Sequence, residues 1–125
     1  MFKPKQAAAT MPAQDFERAK AFYADKLGLR PVEESNQEAL YRVGESEFAL
    51  FPSHGKASGD HTQLAFDVDD VEAAVSSLRQ KGVVFEDYDF PGLKTTGGIA
   101  EMEGERAAWF KDSEGNIISL GERRH

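Results

Sequence analysis

No cysteine occurs in the 125 residues of this chain. Disulfides and thiolate metal centres are thereby excluded, and the fold must rest on its apolar core. Histidine appears three times and tryptophan once, so imidazole ligand sets are few. Long apolar runs are missing too, since none approaches the ~20 residues that span a bilayer. The N-terminal MFKPKQAAATMPAQ has no apolar stretch of leader length, so no signal peptide is expected, and the cytoplasm is the expected location. Positive charge is scarce: 15 Lys and Arg face 22 Asp and Glu, a net charge of −7. Nucleic acid rewards basic surface and is not an expected partner, and neither is a membrane. The acidity fits solubility first and attraction for a cationic ligand second. P-loop, dinucleotide-binding and serine-elbow motifs are absent.

What is present is punctuated secondary structure. Gln6 to Ala13 reads as a buried strand broken near Pro12. Asp15 opens a helix whose Phe16, Ala19, Tyr23 and Leu27 share one face, and Gly28 closes it. Leu29 to Glu34, Ala39 to Val43 and Glu47 to Phe51 read as three short strands. The polar, glycine-containing stretch 53–60 reads as a linker. Then the pattern restarts. Leu64, Phe66 and Val68 alternate with Gln63, Ala65 and Asp67 as in a half-buried strand. Asp69 begins Asp69-Asp70-Val71-Glu72, an acidic N-cap with Glu72 three residues on, and the second helix has Val71, Ala74, Val75 and Leu78 on its buried stripe. Val83 to Tyr88, Ala107 to Lys111 and Ile117 to Leu120 read as strands. Asp89 to Gly104 reads as a long glycine-rich loop, which predicts a lid.

The chain is therefore a repeat, with Asp15-Phe16-Glu17-Arg18-Ala19 matching Asp70-Val71-Glu72-Ala73-Ala74. The expected fold is α+β: one domain over 1–125 made of two βαβββ units, about 5–52 and about 61–122, joined by the linker. Neither unit can bury its sheet face alone. Together they are expected to form a curved mixed sheet around a central cavity, with the helices on the convex face. Such a cavity is a natural small-molecule site. Alternation points Gln63, Ala65 and Asp67 into it and turns Leu64, Phe66 and Val68 toward a helix.

DFERAKAFYADKLGL, HTQLAFDVDDVEAAVSSLRQKGV and AAWFKDSEGNIISL, set in paired βαβββ units, resemble the vicinal oxygen chelate superfamily. That is the group of glyoxalase I, bleomycin-resistance proteins and extradiol dioxygenases. Metal-using members place His, Gln or Glu ligands on the first and last strand of each repeat. The resemblance carries the first-strand positions onto Ala8 and Gln63, each seven residues before a helix-opening aspartate, and one last-strand position onto Ser119. The fourth falls in Phe48-Ala49-Leu50-Phe51, which offers no ligand. One amide and one hydroxyl are a poor donor set for a divalent ion, so no metal and no cofactor are expected.

The expected partners are a small organic molecule, of unspecified identity, and a second copy of the chain in a homodimer. Cavity candidates are Ala8, Tyr41, His61, Gln63, Ala65, Asp67, Tyr88, Lys94, Trp109 and Ser119. Tyr41 and Tyr88 offer phenol donors, Trp109 a stacking surface, Lys94 a cation under the loop, and Asp67 a carboxylate that burial could turn into a general base. Two functions stay open. One is a metal-independent binding protein. The other is an enzyme using metal-free acid–base chemistry or a shifted ligand set around His61, with His54, Glu101 or Glu103.

Overall fold

The computed structural model describes residues 1–123, and it resolves the repeat into two sheets and two helices. In chain order the elements are β1 (Ala9–Ala13), α1 (Phe16–Leu27), β2 (Glu33–Glu34), β3 (Ala39–Val43), β4 (Ser46–Pro52), β5 (Thr62–Asp67) and α2 (Val71–Gln80). They continue with β6 (Asp89–Phe90), β7 (Leu93–Thr96), β8 (Ile99–Met102), β9 (Glu105–Lys111) and β10 (Ile117–Arg123). The first sheet has the order β1-β4-β3-β2 and the second β5-β10-β9-β8-β7-β6. In each, the strand before the helix pairs in parallel with the last strand of its unit. Among the described residues, no helix is long and apolar enough to cross a membrane.

Local chemistry sets the helix ends. The Asp15 carboxylate accepts from the Arg18 N–H at 3.0 Å, and Asp70 accepts from Ala73 N–H at 3.1 Å. These satisfy amides that a helix start leaves without partners. Gly28 ends α1 in the left-handed conformation, φ 69°, which suits a residue without a Cβ. Ala19 and Tyr23 of α1 and Val71 and Val75 of α2 are buried. They join Met11, Tyr41, Phe48, Leu50, Phe110 and Ile118 in one core that crosses both repeats. Phe48 and Phe66 meet edge to face at 5.9 Å, so the two units share apolar packing.

Several elements differ from the sequence expectation. Pro12 does not break β1; it stays in register opposite Phe51. Its carbonyl accepts from Asn116 Nδ2 at 3.1 Å, and the carbonyl of Thr10 accepts from Gln63 Nε2 at 3.1 Å. Both residues turn their backbone groups away from β4, so the missing N–H of Pro12 costs the ladder nothing. Only Glu33–Glu34 of the expected 29–34 strand pairs. Val83 to Tyr88 makes a single bridge, Phe85 to Phe110, in place of a strand.

The largest correction concerns Asp89 to Gly104. It is a meander of three strands, β6 to β8, hydrogen-bonded into the second sheet. Gly92, Gly97, Gly98 and Gly104 all have positive φ and form its tight turns. The Asp87 carboxylate fastens the meander by accepting from Thr95 Oγ1 at 2.8 Å and Gly98 N at 3.0 Å. A lid has to swing free of the sheet; this segment is part of it.

The expected single curved sheet is two sheets. β1 and β5 run edge to edge without a backbone ladder between them, and the side-chain amides of Gln63 and Asn116 stitch the seam. A second clasp joins the β9–β10 turn to α1. Buried Asp112 accepts from Tyr23 Oη at 2.8 Å, Asn116 Nδ2 at 2.9 Å, Glu114 N at 2.8 Å and Asn116 N at 3.0 Å. Glu114 accepts from Arg18 Nε at 2.8 Å and Nη2 at 3.1 Å, Asp15 N at 3.0 Å and Ser113 Oγ at 2.7 Å. The sequence DSEGN, read as a turn, is the joint between the repeats.

Tyr41 sits in the core and lies outside the cavity. It is 1% exposed and stacked on Phe48 at 4.8 Å and 3°. Its ladder partner is Phe48, so alternation turns it toward α1, where it meets Tyr23 at 5.6 Å. Burial pushes its phenol up to about 12. Among the described residues the hydroxyl has no hydrogen-bond partner, so it bears a desolvation cost without compensation. Tyr41→Phe is accordingly expected to leave stability unchanged or raise it by up to about 1 kcal/mol. Urea unfolding of the two proteins measures this, and a clear loss would show that the hydroxyl is engaged.

Candidate functional site

The face of the second sheet turned away from α2 holds a hollow of about 310 Å³. Its floor follows from the ladder. Ala65 of β5, Ser119 of β10 and Trp109 of β9 stand in one cross-strand row, and Asp67, Gly121 and Ala107 in the next. Alternation gives the opposite face to Phe66, Ala108, Phe110, Ile118 and Leu120, which pack in the core. Four small residues, Ala65, Ala107, Ser119 and Gly121, leave depth between the larger side chains. A Cβ added to Gly121 would meet nothing within 4 Å, so the space above it is open.

Trp109 is half-buried and forms a wall. On its other side lies a second hollow of about 460 Å³, lined by His61, Tyr88, Phe90 and Leu93 among others. Tyr88 meets Trp109 edge to face at 5.6 Å and Phe90 at 5.9 Å. Burial, helped by nearby Glu86, pushes the Tyr88 phenol up, so it stays neutral at ordinary pH. The two hollows share Thr62 and Trp109. They form one aromatic-walled, small-floored surface.

Six of the ten candidates line this surface: His61, Ala65, Asp67, Tyr88, Trp109 and Ser119. Asp67 is exposed, at the rim. His61 is exposed at the start of β5, its Nδ1 3.2 Å from Ser58 Oγ. Ala8 is exposed just before β1. Lys94 is displaced to the other face. It alternates with Thr95, whose partner Ala100 stands opposite Ala107. Lys94 therefore shares the α2 side with Thr96, Ile99 and Arg106, beside Glu72.

Gln63 occupies the register shift between Thr62 and Leu64, where β5 bulges against β10. The bulge turns its amide across the seam to Thr10, so it is a stitch between the repeats and does not line either hollow. Gly121, Ala107, Phe90 and Ile117 belong to the surface and were not among the candidates. The signal for three of them was in the sequence: counting by twos from Ser119 and Trp109 reaches Ile117, Gly121 and Ala107.

The residues at the four ligand positions do not fit a divalent metal. Ala8 has no donor, the strand opposite β1 offers Ala49 against Thr10, Gln63 turns its amide across the seam to the Thr10 carbonyl and lines neither hollow, and Ser119 is a lone neutral hydroxyl. A shifted set is not assembled either. Among the described residues no three His, Asp or Glu side chains converge on one point.

Comparison with known proteins now bears on this geometry. The family described as Glyoxalase/Bleomycin resistance protein/Dioxygenase superfamily matches residues 5–120. A putative glyoxalase family protein from Bacillus anthracis superposes with a TM-score of 0.73 at 17% identity, covering 99% of this chain and 100% of that one. Fosfomycin resistance protein FosX from Listeria monocytogenes gives 0.71 at 12%, covering 97% and 94%. Lactoylglutathione lyase from Agrobacterium tumefaciens gives 0.68 at 21%, covering 96% and 95%. At these identities the likeness is one of fold. Comparison with curated proteins returns no match.

Proposed function

Because the chain belongs to the Glyoxalase/Bleomycin resistance protein/Dioxygenase superfamily, we propose that it binds a small organic molecule on the concave face of its second sheet and does so without a metal. The observation that carries this reading is the lining. Trp109 rises from a floor of Ala65, Ala107, Ser119 and Gly121, with Tyr88 and Phe90 behind it. Such a surface offers stacking and apolar contact, with Asp67, Glu105, Arg106 and Glu122 as charged groups along one hollow and Asp60 and His61 along the other, which suits a flat, partly aromatic molecule with a polar edge. Acid–base catalysis would ask for a buried carboxylate at the hollow; Asp67 and Glu105 are exposed, and half-buried Glu122 accepts from the Val71 N–H at 2.8 Å.

Trp109 is the chain's single tryptophan, so intrinsic fluorescence reports on this wall. A library of flat aromatic and amphipathic compounds, titrated with EDTA present, is expected to give at least one saturable quench. Gly121→Leu, which fills open space without backbone strain, is expected to weaken that compound about ten-fold or more, equivalent to about 1.4 kcal/mol. Trp109→Ala should cost about the same by calorimetry, since the stacked ring is lost. An affinity that disappears with EDTA and returns with a divalent ion would refute the metal-free reading. Absence of any saturable quench across the library would refute the site.

A further inference from the structure

The two repeats close against each other in unequal ways, and the inequality leaves a cleft. Aligning the helix caps Asp15 and Asp70 pairs Tyr23 of α1 with Leu78 of α2, and Phe22 with Ser77. The same offset sets Met11 against Phe66, and their ladder partners are Leu50 and Leu120. Those in turn face Ala39 and Ala108. Counting on from there, Val43 corresponds to Asp112. At one junction, then, Tyr23 of the first helix reaches Asp112 of the second repeat at 2.8 Å, with Phe22 edge-on to its ring at 5.8 Å. At the twin junction the corresponding residues are Leu78, Ser77 and Val43. Two aromatic rings and a carboxylate have been replaced by shorter side chains.

The space they vacate is open. A cleft of about 290 Å³ lies there, lined by Leu29, Val43, Phe66, Leu78 and Phe110, with Asp67 and Ser77 as the polar residues of its lining among the described residues. It is on the helix side of the second sheet, across the strands from the hollow beside Trp109. A cavity of about 150 Å³ lined by apolar side chains takes up benzene, so this one has room for one or two fused rings. The filled twin shows what shape the fold accepts at this place: a flat ring, edge-on to a neighbour, with one polar atom at its tip. A charged group would be stripped of water against Leu, Val and Phe with no counter-charge for an anion.

We propose that this cleft is a second ligand site, taking an uncharged aromatic group of the phenol or indole class seated as Tyr23 is seated at the twin junction. The site does not depend on the hollow around Trp109, and the two can fail separately. The probe is 5-fluoroindole, followed by fluorine NMR on the full chain, with 4-fluorobenzoate as the anionic control. Saturable binding of fluoroindole and none of benzoate is expected. The measurement is made in the Trp109→Ala background, which removes stacking in the other hollow: fluoroindole should still bind the cleft, and Leu78→Phe, which puts a ring back into the gap, should weaken it at least ten-fold. Should Leu78→Phe fail to fold, Ser77→Phe restores the other missing ring and is expected to give the same loss. Fluoroindole that stays bound in both filled variants, or that is lost in Trp109→Ala, would overturn the proposal. So would a failure to saturate at millimolar probe. A second copy of the chain seated in the cleft would show as a dimer in light scattering that Val43→Lys dissociates, with no fluoroindole bound, and would overturn it equally.

Discussion

Asp112→Ala is expected to lower the free energy of unfolding by about 3–5 kcal/mol, a loss as large as truncating a buried core side chain. The carboxylate is 6% exposed, and four donors converge on it: the Tyr23 hydroxyl, the Asn116 amide and the backbone N–H groups of Glu114 and Asn116. Alanine would leave these donors facing a void. Each unpaired buried polar group costs about 1–3 kcal/mol, and the sum falls short of additive because the turn can relax toward water. The loss is comparable with the whole stability of a marginal domain. Tyr23→Phe removes one donor and leaves Asp112 with three, so it should cost only about 1 kcal/mol. In a double-mutant cycle by urea unfolding, Tyr23→Phe should cost less in the Asp112→Ala background than in the wild type. If Asp112→Ala instead unfolds within about 1 kcal/mol of wild type, the turn is an ordinary surface hairpin and the repeats are held by the apolar core alone.

That joint shows where sequence reading succeeds and where it stops. The helices were legible because their signals are local: Asp15 and Asp70 cap them, and the apolar faces recur at helical spacing. The repeat was legible from the same signals occurring twice. The direction of β5 was legible from strict alternation, which carried Ala65 and Asp67 to the hollow, while the family resemblance carried Ser119 there. What failed was non-local. Glycines at 92, 97, 98 and 104 mark turns of either a loose loop or a tight meander, and only the pairing of β7 with β8 and β8 with β9 distinguishes the two. Tyr41 was assigned to the hollow from its chemistry, yet its partner across the ladder is Phe48, and that partnership decides the face. Gln63 was placed by alternation, which a one-residue bulge undoes. Lys94 went wrong together with the loop: once the segment is a strand, parity assigns the side chain to α2. The apolar cleft was legible to no single-residue reading, because it is a difference between two repeats.

Glu114 gives the second large effect, and its signature is acid sensitivity. Burial by itself would raise this carboxyl, whose side chain is 1% exposed. The hydrogen bonds from Arg18, the Asp15 amide and the Ser113 hydroxyl outweigh burial and hold it down to about 2, against an ordinary value of 4.5. A folded value below the unfolded one means that the charged form stabilises the fold. That contribution is complete above about pH 4.5 and is lost as the pH falls toward 2. The difference corresponds to about 2–3 kcal/mol, after allowance for an Arg18 side chain that is 55% exposed and screened by water. Glu114→Gln keeps the shape and an acceptor oxygen but removes the charge. Near neutrality it is expected to be less stable than wild type by about 2 kcal/mol. Between pH 4.5 and 2 the two stability curves should draw together, because wild type is losing what the variant never had. The two proteins differ at this one group, so the difference between the curves reports on it. Urea midpoints measured from pH 2 to 7 provide the test. Parallel curves over that range would mean that Glu114 is not held by its three donors in solution, and that the junction between α1 and the β9–β10 turn rests on Asp112 and Tyr23 without it.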